Sequence, residues 1–271
     1  MMSAVCSHKP RGLTLALAGA EDRLQLALGE PSDTGWTLLA SREWTVPGQS
    51  LRFLMPGLKE TLDGFGITAS AIARIACVRG PGSFTGLRLV LAAAQGIASG
   101  TGASLAGIDL LPLLAAGPGP ILTTPLHVVT YARRGLVYLQ SFHTPSLAPI
   151  APLAVCTLAE AAERMTNQDT PAHLLGSGLR RNPDFFADLI TQAPGLTLLP
   201  ARWDTPSPEL LLAAAITAQY AHAPLEPCYV RPSDAEANLP HFARQRGLDP
   251  DEAVKRLRDL GLGQHGEPSD Q

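Results

Sequence analysis

The stretch Gly80-Pro81-Gly82-Ser83-Phe84-Thr85-Gly86-Leu87-Arg88 carries the residues best spaced for chemistry in this chain. It lies where a buried-looking apolar run, residues 72–78, gives way to an Ala/Leu-rich run, residues 84–99. The spacing therefore predicts a strand-to-helix turn. Glycines there permit close backbone approach, and the free N–H groups of a helix start can hold a phosphate. The candidate phosphate-facing residues are Gly80, Gly82, Ser83 and Thr85. It is not a Walker A loop, because the glycine spacing differs and Leu87 stands where that motif needs lysine. On its residues alone, the loop reads first as a tight structural turn and only second as a phosphate cradle. Ser83, Thr85 and Ser177 are the candidate nucleophiles, but none sits in G-x-S-x-G. Helix capping is the better role for Ser83 or Thr85. The histidines, among them His127 and His173, show no H-x-x-x-H or H-E-x-x-H spacing, so they read as surface or hydrogen-bonded groups rather than metal ligands.

Several elements must hold this loop. Residues 13–17 and 24–28 form two apolar runs around Ala18-Gly19-Ala20-Glu21-Asp22-Arg23, which predicts a β-hairpin, with a third strand at 36–39. Leu51, Leu54, Leu58 and Leu62 recur at helical spacing over residues 50–62. The Ala/Leu helix behind the loop is expected to end at Gly100, followed by a strand at 104–108 and a helix at 110–116. Gly117-Pro118-Gly119-Pro120 can continue neither regular structure and is the best boundary. Beyond it a second hairpin is predicted at 126–131 and 136–142, a helix at 158–165, a strand at 173–175 running into Gly176-Ser177-Gly178, and a helix at 208–221. The order strand, hairpin, helix thus occurs twice. The expected divisions are 12–116, 121–235 and a C-terminal extension at 236–271. In that extension Asp249 caps a helix over 249–260, with Ala253, Val254, Leu257 and Leu260 as its apolar stripe.

Composition narrows the function classes. The 271 residues are 45% hydrophobic and 17% charged, with net charge -3. No basic block exceeds the pairs Arg133-Arg134 and Arg180-Arg181, so a protein gripping nucleic acid unaided is not expected. Cys6, Cys77, Cys156 and Cys228 are far apart and read as reduced thiols. No apolar run reaches the ~18 residues of a membrane span, and residues 1–11 lack the core of a signal peptide. A cytoplasmic protein is expected.

GPGSFTGLR followed by LVLAAAQGIASG resembles the signature of the bacterial TsaB (YeaZ) family. Three further stretches agree in order. Ala132-Arg133-Arg134-Gly135-Leu136-Val137-Tyr138 is similar to the family's A-R-x-G-x-V-Y hairpin, Gly176-Ser177-Gly178 to its G-x-G turn, and Pro227-Cys228-Tyr229-Val230-Arg231 to its P-x-Y-[LV]-R. The resemblance spans roughly residues 13–235. It implies an α/β fold of the actin-like (ASKHA, ribonuclease H-like) type with two related lobes. It also implies an accessory subunit without transferase activity, which pairs with a larger paralogue, TsaD, to make threonylcarbamoyladenosine on tRNA. A TsaE-like ATPase joins through that complex, and tRNA is met indirectly. Alone, the chain is a candidate homodimer.

The chain departs from the family at the first hairpin, where relatives read A-I-D-T-S and this one reads Ala16-Leu17-Ala18-Gly19-Ala20. Alanine can neither hold Mg²⁺ through water nor accept a hydrogen bond, so no cofactor is expected and ATP should bind weakly or not at all. No catalytic or metal residue is assigned. The resemblance places the partner surface on the helix after the glycine loop and the preceding helix. The candidates there are Leu51, Leu54, Leu58, Arg88, Leu89, Ala92, Ala93 and Gly96. The rival readings are an active actin-like ATPase or kinase, which needs a carboxylate on the first strand, and a metallopeptidase, which needs a metal motif.

Overall fold

The computed structural model describes residues 12–33, 35–167, 170–230 and 238–259, with the side chains of residues 51, 253, 254, 257 and 258 outside the description. The chain divides into two compact units, Met1–Cys228 and Tyr229–Gln271.

The first unit holds two five-stranded sheets. Strands β1 (Leu13–Ala18), β2 (Arg23–Ser32) and β3 (Gly35–Thr45) form an antiparallel meander, and β4 (Ile72–Gly80) and β5 (Ser104–Asp109) add in parallel on the other side of β1. The order is β3-β2-β1-β4-β5. The second sheet repeats the scheme. Strands β6 (Leu126–Arg133), β7 (Leu136–Phe142) and β8 (Ala154–Thr157) form the meander, while β9 (Ala172–Leu175) and β10 (Leu196–Leu198) run parallel to β6. Its order, β10-β9-β6-β7-β8, matches the first sheet strand for strand. Two copies of this mixed sheet, each with helices, make the actin-like α/β fold that the resemblance implied.

Strand β1, Leu-Thr-Leu-Ala-Leu-Ala, is buried along its whole length, which is why it carries no charged residue on either face. Its two faces differ in size. Leu13, Leu15 and Leu17, with Leu24, Leu26 and Leu28 across the hairpin, meet helices α1 (Ser50–Gly64) and α2 (Phe84–Thr101). The opposite face carries Thr14, Ala16, Ala27 and Gly29, small enough for a helix to lie close. Leu212 of helix α7 (Pro208–Thr217) does so, reaching 2.6 Å from where a Cβ on Gly29 would stand. Helix α7 lies in the part of the sequence assigned to the second half, yet it packs on the first sheet. Ala221 then pairs with Leu105 on the edge of β5, and the Cys228 N–H donates to the Arg79 carbonyl at 2.8 Å. In return α3 (Leu110–Ala115) packs on β6.

Helix α2 runs on past Gly100 and stops at Gly102, whose φ of 76° supplies the left-handed cap. Helix α7 ends at Thr217, four residues before the predicted end, because Ala218 is already extended. On the second sheet, helices α4 (Leu158–Thr166) and α6 (Pro183–Gln192) cover the core formed by Val129, Val137, Leu139 and Phe186, and the short α5 (Ser177–Arg181) follows β9. Among the described residues no helix is long and apolar enough to cross a membrane.

The second unit shows two helices, Leu239–Gln245 and Pro250–Asp259, packed on each other. Asp249 accepts from the Asp251 N–H at 2.9 Å, and Arg256 pairs with Glu252 at 2.6 Å, as the capped-helix reading requires. The stripe Ala253, Val254, Leu257 and Leu260 lies outside the described side chains.

Candidate functional site

The glycine loop closes on the first hairpin, not on open space. Where β1 ends, residues 19–22 turn the chain, and the Ser83 N–H donates to the Ala20 carbonyl at 2.5 Å. A Cβ on Gly82 would stand 2.1 Å from that carbonyl oxygen, and one on Gly86 would stand 2.3 Å from the Gly19 oxygen. Both positions therefore need glycine for backbone-to-backbone contact. Gly80 is buried at φ 127°, with the Cys228 carbonyl 2.9 Å from a Cβ placed on it. Ser83 caps α2 by accepting from the Gly86 N–H, while Thr85 is exposed. So three of the four candidate phosphate-facing residues, Gly80, Gly82 and Ser83, are engaged by the chain itself.

The second half meets the same turn. The Gly176-Ser177-Gly178 turn packs on strand β6, where a Cβ on Gly176 would stand 2.2 Å from the Val129 oxygen. The Tyr131 N–H donates to Ser177 Oγ at 3.0 Å, which leaves the Ser177 hydroxyl proton to donate to Glu21. Next to it Arg181 pairs with Asp22 and lies over the Tyr131 ring, 4.5 Å from its centroid. Asp204 accepts from the Gly176 N–H at 2.7 Å and from Arg180 Nε at 2.8 Å. Burial pushes the Glu21 carboxyl up to about 7, with Asp204 and Asp22 adding to the rise and Ser177 and Arg181 opposing it. Glu21, Asp22, Arg181 and Asp204 were not among the sequence candidates. An acidic pair just after the first hairpin strand and a basic pair just after G-S-G, opposite in charge and one in each half, was the available signal.

Ala18 ends β1 nearly fully buried and brings no carboxylate to the end of that strand. The Glu21 carboxyl sits in the turn and accepts from Ser177. Among the described residues no three His, Cys, Asp or Glu side chains converge. His173 shares a hydrogen bond with Thr124 at 2.8 Å. His127 pairs with Ser141 at 2.7 Å and is held down to about 4 by burial. It lines a cavity of about 200 Å³ with Leu139 and Met165, at the end of β6 away from Tyr131. The hairpin tip residues Arg133 and Arg134 are exposed, and Gly135 turns the tip at φ 77°.

The candidate partner surface is split by burial. Leu54 (0% exposed) and Leu58 (3%) lie in the first-sheet core, so they are packing residues and not surface; the stripe at helical spacing is the face α1 turns inward. Leu89 and Ala93 of α2 are half-buried, Ala93 against the same core. Arg88, Ala92 and Gly96 are exposed, and the Arg88 guanidinium lies 3.7 Å from the centroid of Phe84. The side chain of Leu51 lies outside the described ones. On α1 the outward residues are Arg52, Met55, Pro56 and Lys59, with Met55 42% exposed.

Residues 48–181 match the model of the TsaD family, described as tRNA N6-adenosine threonylcarbamoyltransferase. The chain is 25% identical over 206 residues to the tRNA threonylcarbamoyladenosine biosynthesis protein TsaB of Bacillus subtilis, covering 72% of this chain and 89% of that one. It is 28% identical over 200 residues to TsaB of Escherichia coli, covering 72% and 86%. Among solved structures, YeaZ from Pseudomonas aeruginosa superposes with a TM-score of 0.59 at 22% identity, over 90% of this chain and 98% of that one. An uncharacterized protein with similarity to peptidase YEAZ from Pseudomonas aeruginosa gives 0.64 at 23% identity, over 81% and 100%. With the glycine loop, the A-R-x-G-x-V-Y hairpin and the G-x-G turn in place on two matching sheets, the chain is similar to the TsaB (YeaZ) proteins in sequence and in fold.

Proposed function

We propose that this chain takes part in threonylcarbamoyladenosine biosynthesis on tRNA as a non-catalytic subunit that docks a TsaD-like transferase. The names of its relatives support the pathway. The scaffold role is supported above all by one observation: the turn at residues 19–22 commits its half-buried carboxylate, Glu21, to Ser177 of the other half. A group committed in this way does not position Mg²⁺ or orient a nucleophile. The glycine loop likewise gives its backbone approach to Ala20 and Gly19 rather than to a ligand. No cofactor of its own is assigned, and a TsaE-like ATPase and tRNA are reached through the transferase.

The docking surface is the outward side of α1 and α2, centred on Ala92 and Gly96 with Met55 and Arg88 at its edge. Small exposed residues let a partner helix approach closely, and an apolar side chain beside them anchors it. The experiment is reconstitution with the TsaD-like subunit of the same cell. Co-elution on size exclusion, and threonylcarbamoylation of tRNA that depends on adding this chain, are expected. ATP hydrolysis or peptide cleavage by the purified chain alone, lost on substitution of its own residues, would return the ATPase or peptidase reading.

A further inference from the structure

The contacts around Glu21 join parts of the chain far apart in sequence. Residues 19–22 belong to the first sheet's hairpin, whereas Ser177 and Arg181 belong to helix α5 behind the second sheet. We propose that this turn is a clamp that holds the two halves of the cleft together, closed by Glu21 on Ser177 and by Asp22 on Arg181. On one side the turn is seated against the glycine loop through the Ala20 carbonyl and the Ser83 N–H. On the other, Ser177 is fixed by the Tyr131 N–H, so its hydroxyl proton has one direction left, toward Glu21. The clamp ties the turn, already seated on the glycine loop, to α5 of the other half, and opening it frees the turn from α5.

The clamp is sensitive to pH. The charged or titratable groups facing Glu21 are Asp22 on its own turn, Arg181 on α5, and Asp204, which is itself bound to Arg180 and the Gly176 N–H. Burial outweighs the help of Ser177 and Arg181, so the closed state prefers Glu21 neutral. The closed-state carboxyl thus titrates above the value it has when solvated. Its contribution to closure is complete below about 4.5 and is lost as pH rises through about 7. Ionised Glu21 still accepts from Ser177, but it is then drawn toward water and away from Asp22 and Asp204.

Residue-resolved hydrogen–deuterium exchange on the full chain tests this, each substitution being read on the opposite half. Glu21→Ala should speed exchange at Tyr131 and Gly176 by tenfold or more, and Ser177→Ala should do the same at Ser83. Ser177→Ala also removes the acceptor of the Tyr131 N–H, so additivity is read at Gly176 and Ser83, where the double variant should add nothing to either single change. Changes confined to the substituted side, or effects that sum, would overturn the clamp. In the wild type, protection at Gly176 corrected for intrinsic exchange should fall at least tenfold between pH 5.5 and 8. Glu21→Gln keeps an acceptor for Ser177 without a charge and should stay protected throughout. A flat wild-type profile, or a Gln variant that follows the wild type, would overturn the pH dependence, and thermal melting of each variant confirms that it is folded.

Discussion

Replacing Gly96 by glutamate separates the folding of this chain from its docking. Gly96 lies on the exposed face of α2, five residues from the helix end, and a Cβ built there meets nothing within 4 Å. Its φ is not in the left-handed region, so a side chain brings no backbone strain. A helix-interior glycine costs about 0.5–1 kcal/mol relative to a good helix former, and glutamate is one. The isolated Gly96→Glu chain should therefore be more stable by ~0.5 kcal/mol or slightly more, a rise of about 1–3 °C in melting temperature for a chain of this size. In the complex, the same carboxylate would be buried against a partner helix with no cation provided for it. That costs ~3 kcal/mol or more and weakens binding over 100-fold. Ala92→Glu, one turn earlier and also exposed, should behave alike. Ala93→Glu is a poorer probe, because Ala93 rests on the core and a charge there disturbs folding as well as docking. The same change at exposed Ala187 on α6 is the control. Melting beside titration of the TsaD-like subunit decides the matter. A stable Gly96→Glu chain that binds like wild type refutes the docking surface, and one that fails to fold refutes the open geometry around Gly96.

Gly82→Ala should lower stability by ~3 kcal/mol or more, read by urea denaturation, because its methyl would stand 2.1 Å from a backbone oxygen that the Ser83 hydrogen bond holds in place. Thr14→Val should raise stability by about 1 kcal/mol in the same assay, since the Thr14 hydroxyl is fully buried without a hydrogen-bond partner and valine keeps the shape. Calorimetry with ATP and Mg²⁺ should show no binding tighter than about 1 mM, and a low-micromolar constant (~ -8 kcal/mol) would show that the cleft accepts nucleotide.

The elements that were plain in the sequence are those in which a single face decides the pattern. The α1 stripe of Leu54, Leu58 and Leu62 and the long helix behind the glycine loop follow from burial of a helix face, and β6 and β7 stood out as two apolar runs around Ala132-Arg133-Arg134-Gly135. The missed elements are short. Strands β8 and β10 have four and three residues, too few to show a period. Helix α6 begins after Asn182 without a side-chain cap, and its start signals, Asn182, Pro183 and Asp184, precede an apolar stripe only ten residues long. Helix α7 was visible, but its place was not. Its residues are apolar nearly all round, and a sequence cannot tell which sheet a helix crosses to.

The site shows the same division more sharply. The glycine loop was legible because glycine has few uses, and a close backbone approach at Gly82 and Gly86 is one of them. What it approaches was not legible, since a phosphate and the backbone of Ala20 make the same demand on a glycine. The leucine stripe misled for a related reason: helical spacing identifies an apolar face but not what covers it, and for Leu54 and Leu58 the cover is the first sheet. The proposed partner face of α2 is marked instead by what it lacks. Ala92 and Gly96 are small and exposed on a helix whose core side already holds Leu87, Val90, Leu91, Ala94 and Ala98. Long polar side chains would cover such a face as well and give a more stable helix than glycine does. Under the proposed docking, a second backbone coming within reach accounts for Gly96 at that cost, and the predicted gain in stability of Gly96→Glu measures what the free chain forgoes for it.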